Sequence, residues 1–554
     1  MMHNKKGILS FVFFTTIFLV SSSIFAAGGV SVDILFDKSF YFPNDTMNLK
    51  ILNVPKGSKK IDIVVSKGIE KMYKSSKENN QSEPIDTISI SVPSDIGGYG
   101  LDVFIDGKLL LSRGFLVLSS WIQSPRYGFL TDFDKSRINV DTNLDYLVQY
   151  HINSLQYYDW MYDYGYLVSE QDIYKDAWSR QKTISNTVLK ELISKGHERN
   201  IYSMAYVPIY GVERNLGLKH PDWLLYQKNG DSYVPLDFYQ KILITNTYKT
   251  SGWTQFLIDQ CNKTLQFGFD GIHLDQYGYP KDFASMYLDN GQYKPYITSK
   301  GFIEFIDELK EKTKAPVLFN YVNNWPSEIQ SQAKTDAIYI EPWESCNTYD
   351  DMAKMVNNAK EDSGKDVIIA AYIKYTYEHT IALTDAVILV NGGRRLELGE
   401  YKTLLSGFYF PADVGIPSEE FLKRLRNYYD FEARYKDFFD ASEKDLQLIG
   451  SSLSLIPRKG AVYYNIKGNS KYVFINLINF SGVTTTLWRM ETRKPELVMN
   501  LDITIPLANV RNVYFASADN QLAFSKLSFS KTEEGIRIKI PQIEYWSSVL
   551  IEVE

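Results

Sequence analysis

The sequence predicts a multidomain α/β and all-β chain: a (β/α)8 TIM barrel flanked by an N-terminal immunoglobulin-like β-sandwich and a C-terminal β-sandwich. Three observations predict it. From about Pro125 to about Gln447, apolar β-rich runs alternate with segments of helical periodicity, as in a parallel barrel wrapped by helices. On either side of that region, short strand-like runs are punctuated by Gly, Pro and Asn with no helical stretches between them, the signature of sandwiches. Two of the barrel runs end in an acid, Asp275 and Glu341, with a Gly, Pro or aromatic break just beyond. Barrel strands deliver functional side chains at their C-terminal ends.

In chain order, residues 1–27 read as a signal peptide. Lys5 and Lys6 supply the positive start, Ile8 to Val20 the apolar core, and Ser21 to Ala27 the small residues for cleavage after Ala26 or Ala27. The apolar core is short for a membrane span. A secreted chain with no membrane attachment after signal removal is therefore expected. Residues 28–120 carry the first sandwich, with runs at Val32 to Phe36, Met47 to Leu52, Ile61 to Val65, Thr87 to Val92, Tyr99 to Ile105 and Gly114 to Leu118.

Residues 121–447 carry the barrel. Its eight strand candidates are Tyr127 to Phe133, Ile152 to Trp160, Ile201 to Tyr210, Gly271 to Asp275, Val317 to Tyr321, Ala337 to Glu341, Val367 to Tyr372 and Ala386 to Asn391. Helices are expected at Asn143 to Gln149, Ile184 to Lys195, Thr254 to Gly268 and Phe302 to Thr313, with Glu419 to Phe439 closing the domain. Residues 448–554 return to strands at Ala461 to Ile466, Tyr472 to Ile478, Thr484 to Arg489, Ile503 to Ile505, Gly535 to Ile540 and Ser547 to Glu552.

Composition narrows the function. With 554 residues the chain is too long for one core. Its net charge is −6 and it has no basic block, which argues against a nucleic-acid partner. Two cysteines, Cys261 and Cys346, make no disulfide framework, and six histidines form no metal-spaced cluster. No metal or cofactor is expected. Most of the 40 tyrosines are expected to pack the sandwich and barrel cores, but tyrosine and tryptophan rings can also stack on sugar faces.

Asp275 and Glu341 lie 66 positions apart, close to two βα units of about 31 residues each. One at the end of the fourth strand and one at the end of the sixth could face each other across the barrel mouth. A facing pair of carboxylates is what glycoside hydrolysis uses.

Several segments together resemble glycoside hydrolase family 66, the dextranases and cycloisomaltooligosaccharide glucanotransferases. Arg126-Tyr127-Gly128-Phe129-Leu130-Thr131-Asp132-Phe133 is similar to the family's first barrel strand, and Tyr157-Tyr158-Asp159-Trp160-Met161 to its second. Asp270 to Gly278 resembles its nucleophile segment and Tyr339-Ile340-Glu341-Pro342-Trp343 its acid/base segment. Ala370-Ala371-Tyr372 and Gly392 to Glu400 resemble its last two strands, and Tyr409-Phe410-Pro411 comes after them, as in the family. Departures fall at Tyr162 to Gly165, at Ile272, and at Arg394-Arg395, all expected in substrate-contact loops.

The resemblance implies a retaining mechanism with Asp275 as nucleophile and Glu341 as acid/base. Tyr158 and Asp159 are then expected to bind sugar, Asp159 through paired hydroxyls. Tyr206, Tyr210 and Trp343 are candidate stacking plates. Asn320 and Asn323 end the fifth strand and could hydrogen-bond sugar, and Glu397 is a further candidate contact. Asp132 is equally a structural residue, His273 reads as core, and Glu344 as a solvated acid. The expected function is a secreted, endo-acting dextranase cleaving α-1,6-glucan and isomaltooligosaccharides as a monomer. The nearest rival is a cycloisomaltooligosaccharide glucanotransferase. By resemblance those enzymes carry a binding module inserted late in the barrel, and only 55 positions separate Glu341 from Leu396. A third possibility is a non-catalytic glucan-binding protein.

Overall fold

Eight short strands, hydrogen-bonded in chain order, form one parallel sheet at the centre of the computed structural model, which describes residues 32–78, 87–137 and 139–554. The expected signal peptide lies outside the described residues. The strands are β1 (Tyr127–Leu130), β2 (Ser154–Tyr157), β3 (Tyr202–Pro208), β4 (Gly271–Asp275), β5 (Val317–Val322), β6 (Ile338–Glu341), β7 (Val367–Ile369) and β8 (Gly393–Arg395). Their residues are almost all buried, as expected of a parallel sheet covered on both faces. The ring is closed by the segment after β8: the Phe129 N–H donates to Leu398 O at 3.1 Å, and Phe129 bridges Gly399. A side chain on Gly399 would run into the Phe129 ring, 2.5 Å away, so the closure needs glycine there.

Helices α1 (Val140–Val148), α2 (Asn186–His197), α3 (Gly252–Phe267), α4 (Thr298–Thr313), α5 (Tyr349–Ser363) and α6 (Glu378–Val390) connect the strands, and α7 (Glu419–Arg434) follows β8. Several start on side-chain caps, such as Ser185, Ser251 and Ser418, and α5 on a full capping box from Thr348 and Asp351.

Two expected strands are not strands. Residues 386–391, expected as the eighth, lie in or at the end of α6, and β8 is Gly393–Arg395. Every residue from Thr380 to Val390 is buried. A helix buried all round has no amphipathic period, so its apolar run is indistinguishable by pattern from a buried strand. Residues 484–489 form no strand either; their backbone bonds to the loop after β6.

The flanking regions are antiparallel. Asp33–Leu35, Thr46–Leu52 and Thr87–Ser91 form a three-stranded sheet, and Lys60–Lys67, Glu70–Glu78, Gly97–Ile105 and Lys108–Val117 a four-stranded one. Buried Met47, Leu49, Ile61, Ile63, Leu101 and Val103 belong to their shared core. The strand Glu70–Glu78 has no buried residue and no alternation to betray it. After α7 come a six-stranded and a three-stranded sheet, whose Ile475, Leu477, Ile503, Ile538, Phe515 and Val549 pack together.

Helix α7 ties the N-terminal sheet to the barrel. Gly114 lets them approach, since a Cβ there would lie 2.0 Å from Asp430 O. Arg113 reaches Asp33 and Asp430 at 2.7 and 3.2 Å. Arg434 reaches Asp102 at 2.9 Å. Glu432 is 2 % exposed and lies between Arg126 and Arg394, the latter at 2.8 Å. Removing it leaves the Arg126 guanidinium without a carboxylate partner in the interior, while Arg394 keeps only Asp366, at 3.0 Å. Glu432→Ala is therefore expected to destabilise the protein by about 3–5 kcal/mol, read as a lowered midpoint in urea unfolding, with Glu432→Gln in between.

Candidate active site

Strands β4 and β6 end at Asp275 and Glu341, and both carboxyls open into one cavity of about 480 Å³. Between them lies β5, which supplies Asn320. The Asn320 Nδ2 donates to Asp275 Oδ1 at 2.8 Å and to Glu341 Oε2 at 3.0 Å. An amide nitrogen directs its two hydrogens about 120° apart, so the two acceptors sit about 5 Å from one another. The remaining oxygens are held separately. Tyr206 OH donates to Asp275 Oδ2 at 2.7 Å, and Tyr372 OH to Glu341 Oε1 at 2.9 Å.

The two acids are tuned differently. Burial pushes Asp275 up, opposed by hydrogen bonds from Asn320, Tyr206 and the Gln276 amide. Burial and then the Asp275 charge push Glu341 up to about 7, against hydrogen bonds from Asn320, Tyr372 and Trp343. As pH rises Asp275 ionises first, and its charge keeps the proton on Glu341. The arrangement therefore holds one charged and one protonated carboxyl side by side, able to attack a carbon and to donate a proton.

Asp159 also faces the cavity. It sits in the left-handed region with φ 54°, and among the described residues no donor reaches its carboxylate. Burial, then Asp176, push its pKa up to about 7, while Lys182 opposes. Gln156 and Asn320 each present a buried side-chain oxygen with no hydrogen-bond partner, and both line the same cavity. These acceptors are matched to a ligand rich in hydroxyl donors.

Of the residues singled out in the sequence, Tyr158, Tyr206, Tyr210, Asn320 and Trp343 line the cavity. Tyr206 differs from the expected stacking plate in that its hydroxyl is committed to Asp275. Tyr158 packs flat on Phe410, with ring centroids 4.4 Å apart. Two expected contacts are not in the cavity. Asn323 accepts at Oδ1 from the Trp343 and Ser345 N–H groups, both at 3.3 Å, so its amide shapes the loop after β6. Glu397 is fully buried, paired with Arg395 at 2.8 Å and accepting from Tyr429 OH at 3.0 Å. Arg394 and Arg395, expected in substrate loops, are buried ion-pair partners instead. Asp132 accepts from Tyr401 OH at 2.8 Å outside the cavity. His273 lies beneath the acids, 3.0 Å from Tyr127 OH, and burial pulls its pKa down to about 3. Glu344 is exposed. Cys261 and Cys346 are buried free thiols.

The sequence reading missed Gln156, Tyr372 and the aromatic rim. Gln156 carried a signal, a polar side chain between Leu155 and Tyr157 in a strand whose residues are all buried. Tyr372 stood at the end of the expected seventh strand. The rim residues Tyr239, Tyr277 and Phe408 are 74 %, 46 % and 63 % exposed and come from long loops, where no periodicity marks them.

The family model described as glycosyl hydrolase family 66 matches residues 36–550. Two relatives from Niallia circulans, both cycloisomaltooligosaccharide glucanotransferases, are 21 % and 20 % identical. The first match covers 95 % of this chain and 72 % of the relative, the second 79 % and 62 %. Among solved structures, a cycloisomaltooligosaccharide glucanotransferase of Paenibacillus sp., complexed with cycloisomaltoheptaose, superposes with a TM-score of 0.85 at 19 % identity. That superposition covers 94 % of this chain and 99 % of the other. With the family model spanning the barrel and both flanking regions, the chain belongs to glycosyl hydrolase family 66.

Proposed function

We propose that this protein cleaves α-1,6-glucosidic bonds within a glucan by a retaining double displacement. Asp275 attacks the anomeric carbon while Glu341 protonates the leaving oxygen. Glu341 then takes the proton of the acceptor hydroxyl as that oxygen displaces Asp275. The observation that carries this reading is the amide of Asn320 shared by both acids, because a separation of about 5–5.5 Å belongs to retaining pairs and about 6.5–9.5 Å to inverting ones. Asp159 and the free oxygens of Gln156 and Asn320 are the proposed acceptors for sugar hydroxyls. Tyr210 and Trp343 are the proposed stacking plates. Exposed rings at the rim support an open cleft that takes a chain internally.

For the second step, the relatives named as cycloisomaltooligosaccharide glucanotransferases support transfer to a sugar hydroxyl, including the chain's own end, better than they support hydrolysis. Hydrolysis, as in a dextranase, remains the second reading. It is favoured by the stretch from Glu341 to Leu396, which is filled by α5, β7, α6 and β8 with no inserted module. Incubation with dextran, followed by chromatography and mass analysis, separates the two: cyclic products lack one water relative to linear isomaltooligosaccharides. Release of glucose alone from chain ends would contradict both. Export by the N-terminal signal, and a division into regions near residues 120 and 447, complete this reading. Activity in the medium of an expressing culture tests the export.

The roles separate on mutation. Asp275→Asn should lose on the order of 10⁴-fold or more in kcat on any substrate. Glu341→Gln should lose about 10²–10⁴-fold on dextran but little in the first step on a glycoside whose leaving group needs no proton. Equal losses on both substrates would remove Glu341 from the acid role.

The pH profile has a defined sign. Glu341 must carry its proton, so activity falls as pH rises through about 7. Asp275 must be ionised, so activity also falls in acid, at a pH above the usual carboxylate range because burial raises its pKa. Asn320→Ala removes a donor that favours the charged form of both acids. Both limbs of kcat/KM should then move to higher pH, by about one unit each. Limbs moving in opposite directions would contradict the shared-amide account.

A further inference from the structure

The seven residues between Glu341 and Tyr349 leave the barrel and turn before α5 begins. Four of their carbonyl oxygens are gripped by Trp488 and Arg489, far along the chain. Arg489 Nη2 donates to Pro342 O at 2.5 Å. Its Nη1 donates to Trp343 O at 3.2 Å and to Cys346 O at 3.0 Å. Trp488 donates from Nε1 to Cys346 O at 2.8 Å and from its main-chain N–H to Asn347 O at 3.2 Å. The Arg489 guanidinium lies over the fully buried Trp488 ring, 3.9 Å from its centroid. On the other side, Asn323 accepts from the N–H groups of Trp343 and Ser345, and its own N–H donates to Glu341 O at 2.7 Å.

The loop is therefore clamped by its carbonyls on one side and its N–H groups on the other. The chemistry of Arg489 makes the clamp specific. Every hydrogen bond it makes goes to a main-chain oxygen of this loop. A planar guanidinium stacked on an aromatic face can serve three carbonyls from fixed edges, which a lysine ammonium cannot. The loop begins at Pro342, the neighbour of the acid, and includes Trp343, which lines the cavity. A shift of about 1 Å at a reacting group costs about 10²-fold in rate.

We propose that Arg489, stacked on Trp488, is a positioning residue for Glu341, so that the C-terminal β-region is a working part of the active site. This rests on Glu341 being the acid/base as proposed above. The test compares dextran with a dinitrophenyl isomaltoside, whose leaving group needs no proton. Arg489→Ala should lower kcat on dextran by about 10²-fold and shift the alkaline limb of the pH profile. The first step on the activated glycoside should change little, and Arg489→Lys should restore only part of the loss. Equal losses on both substrates would overturn the proposal. If Arg489→Ala does not fold, Trp488→Phe keeps the ring, removes the bond to Cys346 O and should show the same selectivity in smaller measure. If the unaltered protein acts on neither substrate, the proposed function fails, and the clamp is read by hydrogen exchange instead. The amides of Trp343 and Ser345 should then exchange about tenfold faster in folded Arg489→Ala; unchanged exchange would overturn it.

Discussion

Two carboxyls about 5 Å apart at the base of an aromatic-lined cavity cannot both be charged at little cost. With an effective dielectric constant of about 20, their repulsion is about 3 kcal/mol, more than two pKa units. The site must therefore divide the roles, and the division is set by hydrogen-bond donors. Asp275 is served by Asn320, Tyr206 and the Gln276 amide, and its ionisation is what holds Glu341 protonated. The two phenols involved are themselves pushed well above their ordinary pKa, first by burial and then by the carboxylate each touches. They stay neutral donors over the whole range in which the acids titrate. Donors of fixed charge state are what allow the pair to be poised by geometry alone.

The barrel meets this constraint with three neighbouring strands. β4, β5 and β6 are adjacent in the sheet, so the side chain between two acids comes from the strand between them. The register places Val322 beside Glu341 and Leu274 beside Phe319, leaving Asn320 between the strand ends that carry the acids. A single amide then spans the gap. A charged residue there would bias both acids in one direction.

Much of this was legible in the sequence, for reasons that can be stated. The end of β4 and the end of β6 were readable because a buried apolar run that stops at an acid is costly unless the acid has a task. Seven of the eight barrel strands fall where the alternation of patterns puts them. The eighth was misread because α6 is apolar on every face, and period is the only signal that separates such a helix from a strand. Asn323 and Glu397 were misread for another reason. Both are polar residues at strand ends, but whether such a group faces the cavity or the chain is decided by the partners the fold brings to it, Ser345 for one and Arg395 with Tyr429 for the other. Residues 484–489 read as a strand by composition, yet their hydrogen bonds go to a loop rather than to a sheet. No local pattern encodes that choice.

The buried acids sort themselves by what neutralises them. Glu432 and Glu397 each lie within 3.0 Å of an arginine nitrogen, and a buried carboxyl with a bidentate-capable partner is one the fold has already met. Asp176 is buried with no cation at hydrogen-bond distance, but the N–H groups of Ser179, Arg180 and Lys182 and the Ser179 hydroxyl saturate it. Asp275, Glu341 and Asp159 fall in neither class. Among the described residues none has an arginine or lysine within ion-pair distance. The first two are met only by neutral donors, and the third by none. An acid in that condition keeps a raised pKa and spare acceptor capacity, which are costs to the fold and assets only to chemistry on a bound ligand. Glu397 had the stronger claim from sequence position, sitting just past the last barrel strand, and burial pushes its pKa up as well, to about 8; it loses the claim because it lies outside the cavity and its carboxyl already meets Arg395 and Tyr429.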